Sequence, residues 1–176
     1  MRFSLAILFA FFSLNTFAQE THSFKIESRN LIWQHVFETS LSPDDVVQRL
    51  KTKGIWEAVE FVGDDLTGNS RKQAADFRSL GYNEMNIPIY VGRMDITFFA
   101  LVQFQEGKYR VTVSNISLIQ RYDDGISKMG EVTSLDRFAI KKSGVFKSAF
   151  LGKPAEIYNK TFLSIFEVEE SVEADW

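Results

Sequence analysis

The sequence predicts an α+β fold, an antiparallel sheet built on one long hairpin with helices packed on one of its faces. Three stretches carry this reading. Residues 92–122 alternate as two long strands around a tight turn, which is the two-residue side-chain period of a sheet. Ser42-Pro43-Asp44-Asp45 opens a well-signalled helix. Pro154 opens a second, in which Tyr158, Phe162, Ile165 and Phe166 recur on one helical face.

Taken in order, Phe24-Lys25-Ile26 begins a strand after a loose start at 19–23. Leu31 to Phe37, LIWQHVF, is a stronger strand, rich in aromatic and β-branched residues. The helix over 43–53 follows. Ser42 is its N-cap, and Pro43 sits where a missing N–H costs nothing. Asp44 and Asp45 suit the positive end of the helix dipole, and Lys51 and Lys53 the negative end. Val46, Val47 and Leu50 form the apolar stripe, and Gly54 ends the helix. Ile55 to Val62 is a half-buried strand, 63–69 a turn-rich connection, and 73–78 a short strand. Residues 81–88 form a loop leading into the hairpin. Beyond it, Asp123-Asp124-Gly125 is a turn. Leu135 to Phe150 stays ambiguous between a helix capped by Ser134 and irregular chain broken at Gly144. The closing helix spans 154–168.

The hairpin register follows from hydrophobic matching. With Glu106-Gly107 as a two-residue loop, Phe104 faces Tyr109, Val102 faces Val111, Ala100 faces Val113 and Phe98 faces Asn115. Gly107 supplies the positive φ the loop needs. Met94, Ile96, Phe98, Ala100, Val102 and Phe104 then form the core face, against which the two helices pack. The second face is polar near the turn and carries Phe99, Leu101, Ile116 and Leu118 further along. Those four residues are either covered by another element or an exposed binding patch.

The N-terminal segment reads as a cleavable signal peptide over 1–18. Arg2 supplies the positive charge, Leu5 to Leu14 the apolar run, and Thr16-Phe17-Ala18 the small residues of a cleavage site between Ala18 and Gln19. The run is too short to span a bilayer. Residues 24–168 are expected to form a single α+β domain and 169–176 an acidic tail, in which Trp176 is a candidate to dock. Removing 1–18 takes Arg2 with it and moves the net charge from −3 to −4. With that charge and no long basic run, nucleic acid is not an expected partner. The absence of cysteine excludes disulfides and thiol chemistry. The expected location is the periplasm or the extracellular space, with no membrane anchor in the mature form.

Catalytic constellations are sparse. The histidines are His22 and His35, and His35 reads as a structural strand residue. No nucleophile elbow, phosphate loop or dinucleotide fingerprint is present. Asp64-Asp65 with Asn69, and Asp123-Asp124, are the candidate oxygen clusters for a cation, and neither has EF-hand spacing. They read as turn residues, so no metal and no cofactor is expected. Asn115-Ile116-Ser117 and Asn159-Lys160-Thr161 fit the N-glycosylation pattern, a frequent one.

The cleavage site in Phe-Ala-Gln, the Trp-containing strand, the capped helix and the strand opening at Glu106 to Val113 (EGKYRVTV) together resemble an exported bacterial family of unknown function, DUF4468. The resemblance runs over about 31–122 and extends to the C-terminal helix. It implies a TBP-like fold, a curved antiparallel sheet with helices on one side, and brings no functional residues. The expected function is that of an exported non-catalytic domain binding a protein partner or small ligand through one sheet face. The alternatives are a carboxylate-dependent hydrolase and a cell-envelope assembly or transport accessory.

Overall fold

A computed structural model describes residues 22–125 and 127–169. The elements in chain order are β1 (Phe24–Glu27), β2 (Asn30–Glu38), α1 (Pro43–Thr52), β3 (Trp56–Val62), β4 (Asp65–Ser70), β5 (Gln73–Ala74), α2 (Ile89–Arg93), β6 (Met94–Gln105), β7 (Lys108–Gln120), β8 (Val132–Ser134), α3 (Asp136–Ala139), α4 (Ser148–Leu151) and α5 (Lys153–Phe166). The strands form one antiparallel sheet in the order β1-β2-β7-β6-β4-β3, with β5 added to β6 and β8 to β7. The expected signal segment with its Ala18/Gln19 cleavage site lies outside the described residues, as do 170–176 of the acidic tail.

The hairpin of β6 and β7 is the centre of the sheet. Its turn is Glu106-Gly107, and Gly107 has φ +72°. Phe104 pairs with Tyr109, Val102 with Val111 and Ala100 with Val113, as the hydrophobic matching requires. Beyond Ala100 the register changes. Phe99 pairs with Ser114 but Thr97 with Ser117, so Asn115 and Ile116 together oppose Phe98. This is a β-bulge, with Asn115 in the left-handed region at φ +53°. The expected Phe98–Asn115 pair therefore does not form. The extra residue reverses which side chains point where along the rest of β7.

Helices α1 and α5 cover one face. Ser42 Oγ accepts from Asp45 N at 3.2 Å, and Val46, Val47 and Leu50 are buried. Trp56 Nε1 donates to Leu50 O at 3.0 Å, which ties α1 to β3. In α5, Phe162 meets Phe24, Trp33 and Phe98, and Phe166 meets Trp33, Trp56 and Phe98. Tyr109 Oη donates to Phe166 O at 2.8 Å. Lys53 Nζ donates to Ser164 O and Ile165 O, each at 3.1 Å, and so satisfies carbonyls left over at the α5 C-terminus.

The flanks depart further from the sequence reading. Residues 65–70, expected as part of a turn-rich connection, form β4 against β6. The segment DLTGNS has poor strand propensity, but its Gly68 is required by the packing. A Cβ there would stand 2.7 Å from both Ala58 O and the Trp56 ring. Of the strand expected over 73–78, only Gln73–Ala74 pairs. Thr161 Oγ1 then accepts from Asp76 N at 2.9 Å, and Phe77 turns into the core. The loop expected over 81–88 contains a 3₁₀ turn at Glu84–Asn86 capped by Asn83, and Gly92 and Arg93 belong to α2. Ser134 ends β8 and accepts from Asp136 N at the start of the one-turn α3.

Candidate functional site

The two faces of the sheet differ in what covers them. The apolar sides of α1, α3, α4 and α5 form one buried cluster with Trp33, Ile96, Phe98, Val111 and Leu118. Phe99, Leu101 and Ile119 project from the opposite face, stay half-buried and take no part in that cluster. Of the four residues expected to share the second face, Phe99 and Leu101 do. Ile116 and Leu118 do not, being 2% and 0% exposed on the helix-covered side. The bulge at Asn115 is the reason. It hands their places on the open face to Ser117 and Ile119.

The bulge also sits at a break in the other neighbour of β6. Strand β4 pairs with β6 over Phe99 to Val102 and β5 over Asp95 to Ile96, so regular pairing lapses between them. There Ser70 Oγ accepts from Phe98 N at 2.9 Å in place of a ladder bond. With both flanks irregular at one level, the open face sinks into a depression of about 710 Å³. Its floor includes Thr97, Phe99 and Ile119, and its rim Asn69, Arg71, Lys72, Asn115 and Glu57.

The polar side chains on the rim of this depression are unpaired among the described residues. No hydrogen bond or ion pair engages the side chains of Asn69, Arg71, Lys72, Asn115 or Glu57 among the described residues. A second depression on the same face, about 420 Å³ near the hairpin turn, is the opposite case. There Gln103 Nε2 donates to Asp65 Oδ2 at 3.0 Å, and Arg110 Nε donates to Gln103 Oε1 at 3.2 Å. Asp65, Gln103 and Arg110 are thus linked to one another.

The other candidates are structural in geometry. His35 lies between Trp33 and Phe37, its Nδ1 is 3.3 Å from Ser23 Oγ, and burial lowers its pKa. Among the described residues no group holds its other ring nitrogen, so a nucleophile–base–orienter relay is not assembled. Asp65 serves Gln103. Asp123 Oδ1 accepts from Met129 N at 2.6 Å, and Asp124 Oδ1 from Ser127 N at 2.8 Å. No three His, Asp or Glu side chains converge as a metal site among the described residues. The large depression carries one carboxylate, Glu57, whereas acid–base hydrolysis by a carboxylate pair needs two. No described helix is long and apolar enough to cross a membrane. Asn115 is exposed, and Asn159 accepts from Trp33 Nε1 at 2.9 Å.

Arg71, Lys72 and Ile119 were not singled out by the sequence, and Asn69 and Asn115 were named only for a cation cluster and a glycosylation pattern. One signal was available. Tyr109, Val111 and Val113 are odd-numbered whereas Ile116 and Leu118 are even-numbered, and Asn115, which tolerates the left-handed region, stands at the change.

No family model and no curated protein sequence matches this chain. Among solved structures it is similar to a DUF4468 family protein from Bacteroides ovatus, at 11% identity and a TM-score of 0.48, over 85% of this chain and 93% of that one. It is also similar to a TBP-like protein from Parabacteroides distasonis, at 12% identity and a TM-score of 0.49, over 80% of this chain and 93% of that one. Both descriptions coincide with the resemblance carried by the sequence motifs.

Proposed function

We propose that this chain is an exported, non-catalytic binding domain that takes its ligand or protein partner on the open face of the sheet. The observation that carries the reading is the depression beside Asn115, where Phe99 and Ile119 stand half-exposed among unpaired polar side chains. A sheet needs only one face covered to be stable, and here α1 and α5 cover it. Apolar side chains left on the other face favour an occupant from outside the chain. Export is supported by Arg2, the Leu5-to-Leu14 run and the Ala18/Gln19 cleavage signal.

The test is capture from envelope extracts and a small-ligand melting screen, with wild type and the double variant F99S/L101S side by side. The variant is expected to fold, because neither side chain belongs to the buried cluster. It is expected to lose whatever wild type binds. Equal binding by both proteins would refute the open face as the site. N-terminal sequencing of the secreted chain addresses export, with Gln19 expected as the first residue.

A further inference from the structure

We infer that the depression beside Asn115 is a site for a small organic anion with a flat apolar body, of which an aromatic carboxylate is the simplest case. This rests on the open-face reading and names the class of ligand for it.

The charge argument comes first. Arg71 and Lys72 on the rim outnumber the single carboxylate, Glu57, leaving one excess positive charge in a chain whose net charge is −3. Neither cation has an ion-pair partner among the described residues. Elsewhere on the chain Arg121 pairs with Asp95 at 2.6 Å and Lys25 with Glu27. An unpaired Arg–Lys pair at the mouth of a depression is a place where an external anion lowers the energy. The Arg71 guanidinium can grip a carboxylate through two parallel N–H bonds.

Shape and polarity set the rest of the ligand. Phe99 and Ile119 offer an apolar floor on which a ring can stack. The carboxamides of Asn69 and Asn115 have no partner among the described residues and so bring both donors and acceptors. The volume of about 710 Å³ suits a small molecule. Two cations without a wider basic surface do not make a footprint for nucleic acid.

Titration calorimetry on the folded chain tests this with three probes: naphthoate, the neutral naphthalenemethanol, and inorganic phosphate. Naphthoate is expected to bind saturably and about tenfold or more tighter than the alcohol, a ratio equal to about 1.4 kcal/mol. Arg71→Gln and Lys72→Gln should each weaken naphthoate several-fold and leave the alcohol unchanged. Phe99→Ser should weaken both aromatic probes. Phosphate should bind more weakly than naphthoate. Equal affinity for naphthoate and the alcohol would overturn the anion site while leaving the open face standing. Phosphate binding as tight as naphthoate would overturn the apolar body. Naphthoate that does not bind wild type at all overturns the inference, and the capture experiment then decides the open-face reading alone. Naphthoate binding that survives both Arg71→Gln and Phe99→Ser counts against both.

Discussion

The two faces of the central hairpin are made of the same strands and have opposite fates. On the covered face, Ile96, Phe98, Ala100, Val111 and Leu118 are closed off by α1 and α5 and form part of one continuous core. On the open face, Phe99, Leu101 and Ile119 alternate with Thr97, Thr112, Ser114 and Ser117 and meet no helix of that core. The difference is set less by composition than by phase. Ile116 and Leu118 are as apolar as Phe99 and Leu101, and a single inserted residue at Asn115 sends the two pairs to opposite sides. The same insertion opens the depression. One local irregularity thus completes the core and creates the candidate site.

The largest effect that separates the faces is at alkaline pH. The buried phenols lie with the core, and the open face of the sheet holds none. Burial pushes Tyr90 and Tyr109 up to about 12 and Tyr158, whose hydroxyl has no partner among the described residues, well above its ordinary value. Unfolded, these groups lose their protons near pH 10; folded, they keep them. The folded chain therefore holds more protons above pH 10, and its stability, fully present below that pH, falls as pH rises through about 12. Urea melts across this range, read with phenolate absorbance, should show the phenols of the core ionising only as the chain unfolds. Free ionisation of all tyrosines in the folded state would contradict the assignment.

Truncations come next. Phe162→Ala removes a ring held among Phe24, Trp33 and Phe98 and should cost about 3–5 kcal/mol. Leu118→Ala should cost about 2–5 kcal/mol. Leu101→Ala, on the open face, should cost about 1 kcal/mol or less. Denaturant midpoints give the ordering, and equal losses at Leu118 and Leu101 would break the distinction between the faces. Gly68→Ala tests β4 instead. Its methyl group would meet Trp56 and Ala58 O, and overpacking of this kind costs about 1–3 kcal/mol. The bulge itself is tested last. Asn115→Val forces a β-branched residue to a positive φ and should cost about 1–2 kcal/mol, whereas Asn115→Gly should be tolerated.

How much of this was legible in the sequence differs from element to element. The 106–107 turn, the register from Phe104 to Ala100, the capped helix α1 and the apolar stripe of α5 all follow from local rules that the tertiary structure does not oppose. Strand β4 was not legible, because DLTGNS is chosen for contacts. Gly68 is there for the Trp56 ring, and Ser70 replaces a ladder bond to Phe98 N. The short Gln73–Ala74 strand ends where Thr161 of α5 claims the next backbone amide but one, Asp76 N, a partner 85 residues away. Of the site, Phe99 and Leu101 were found by simple alternation. Ile116 and Leu118 were assigned to the wrong face because alternation was carried through Asn115 without a break. Arg71 and Lys72 join the site only through the gap between β4 and β5, which no local pattern announces.

The claim that one hairpin presents a covered and an open face, exchanged at Asn115, has a direct test. The chain has no cysteine, so single substitutions to cysteine at Phe99, Leu101, Ile116 and Leu118 report cleanly on access. Labelling of the folded variants with a water-soluble thiol reagent should be fast for Phe99→Cys and Leu101→Cys and suppressed, until urea unfolds the chain, for Ile116→Cys and Leu118→Cys. Fast labelling at all four positions, or protection of all four, would contradict the account.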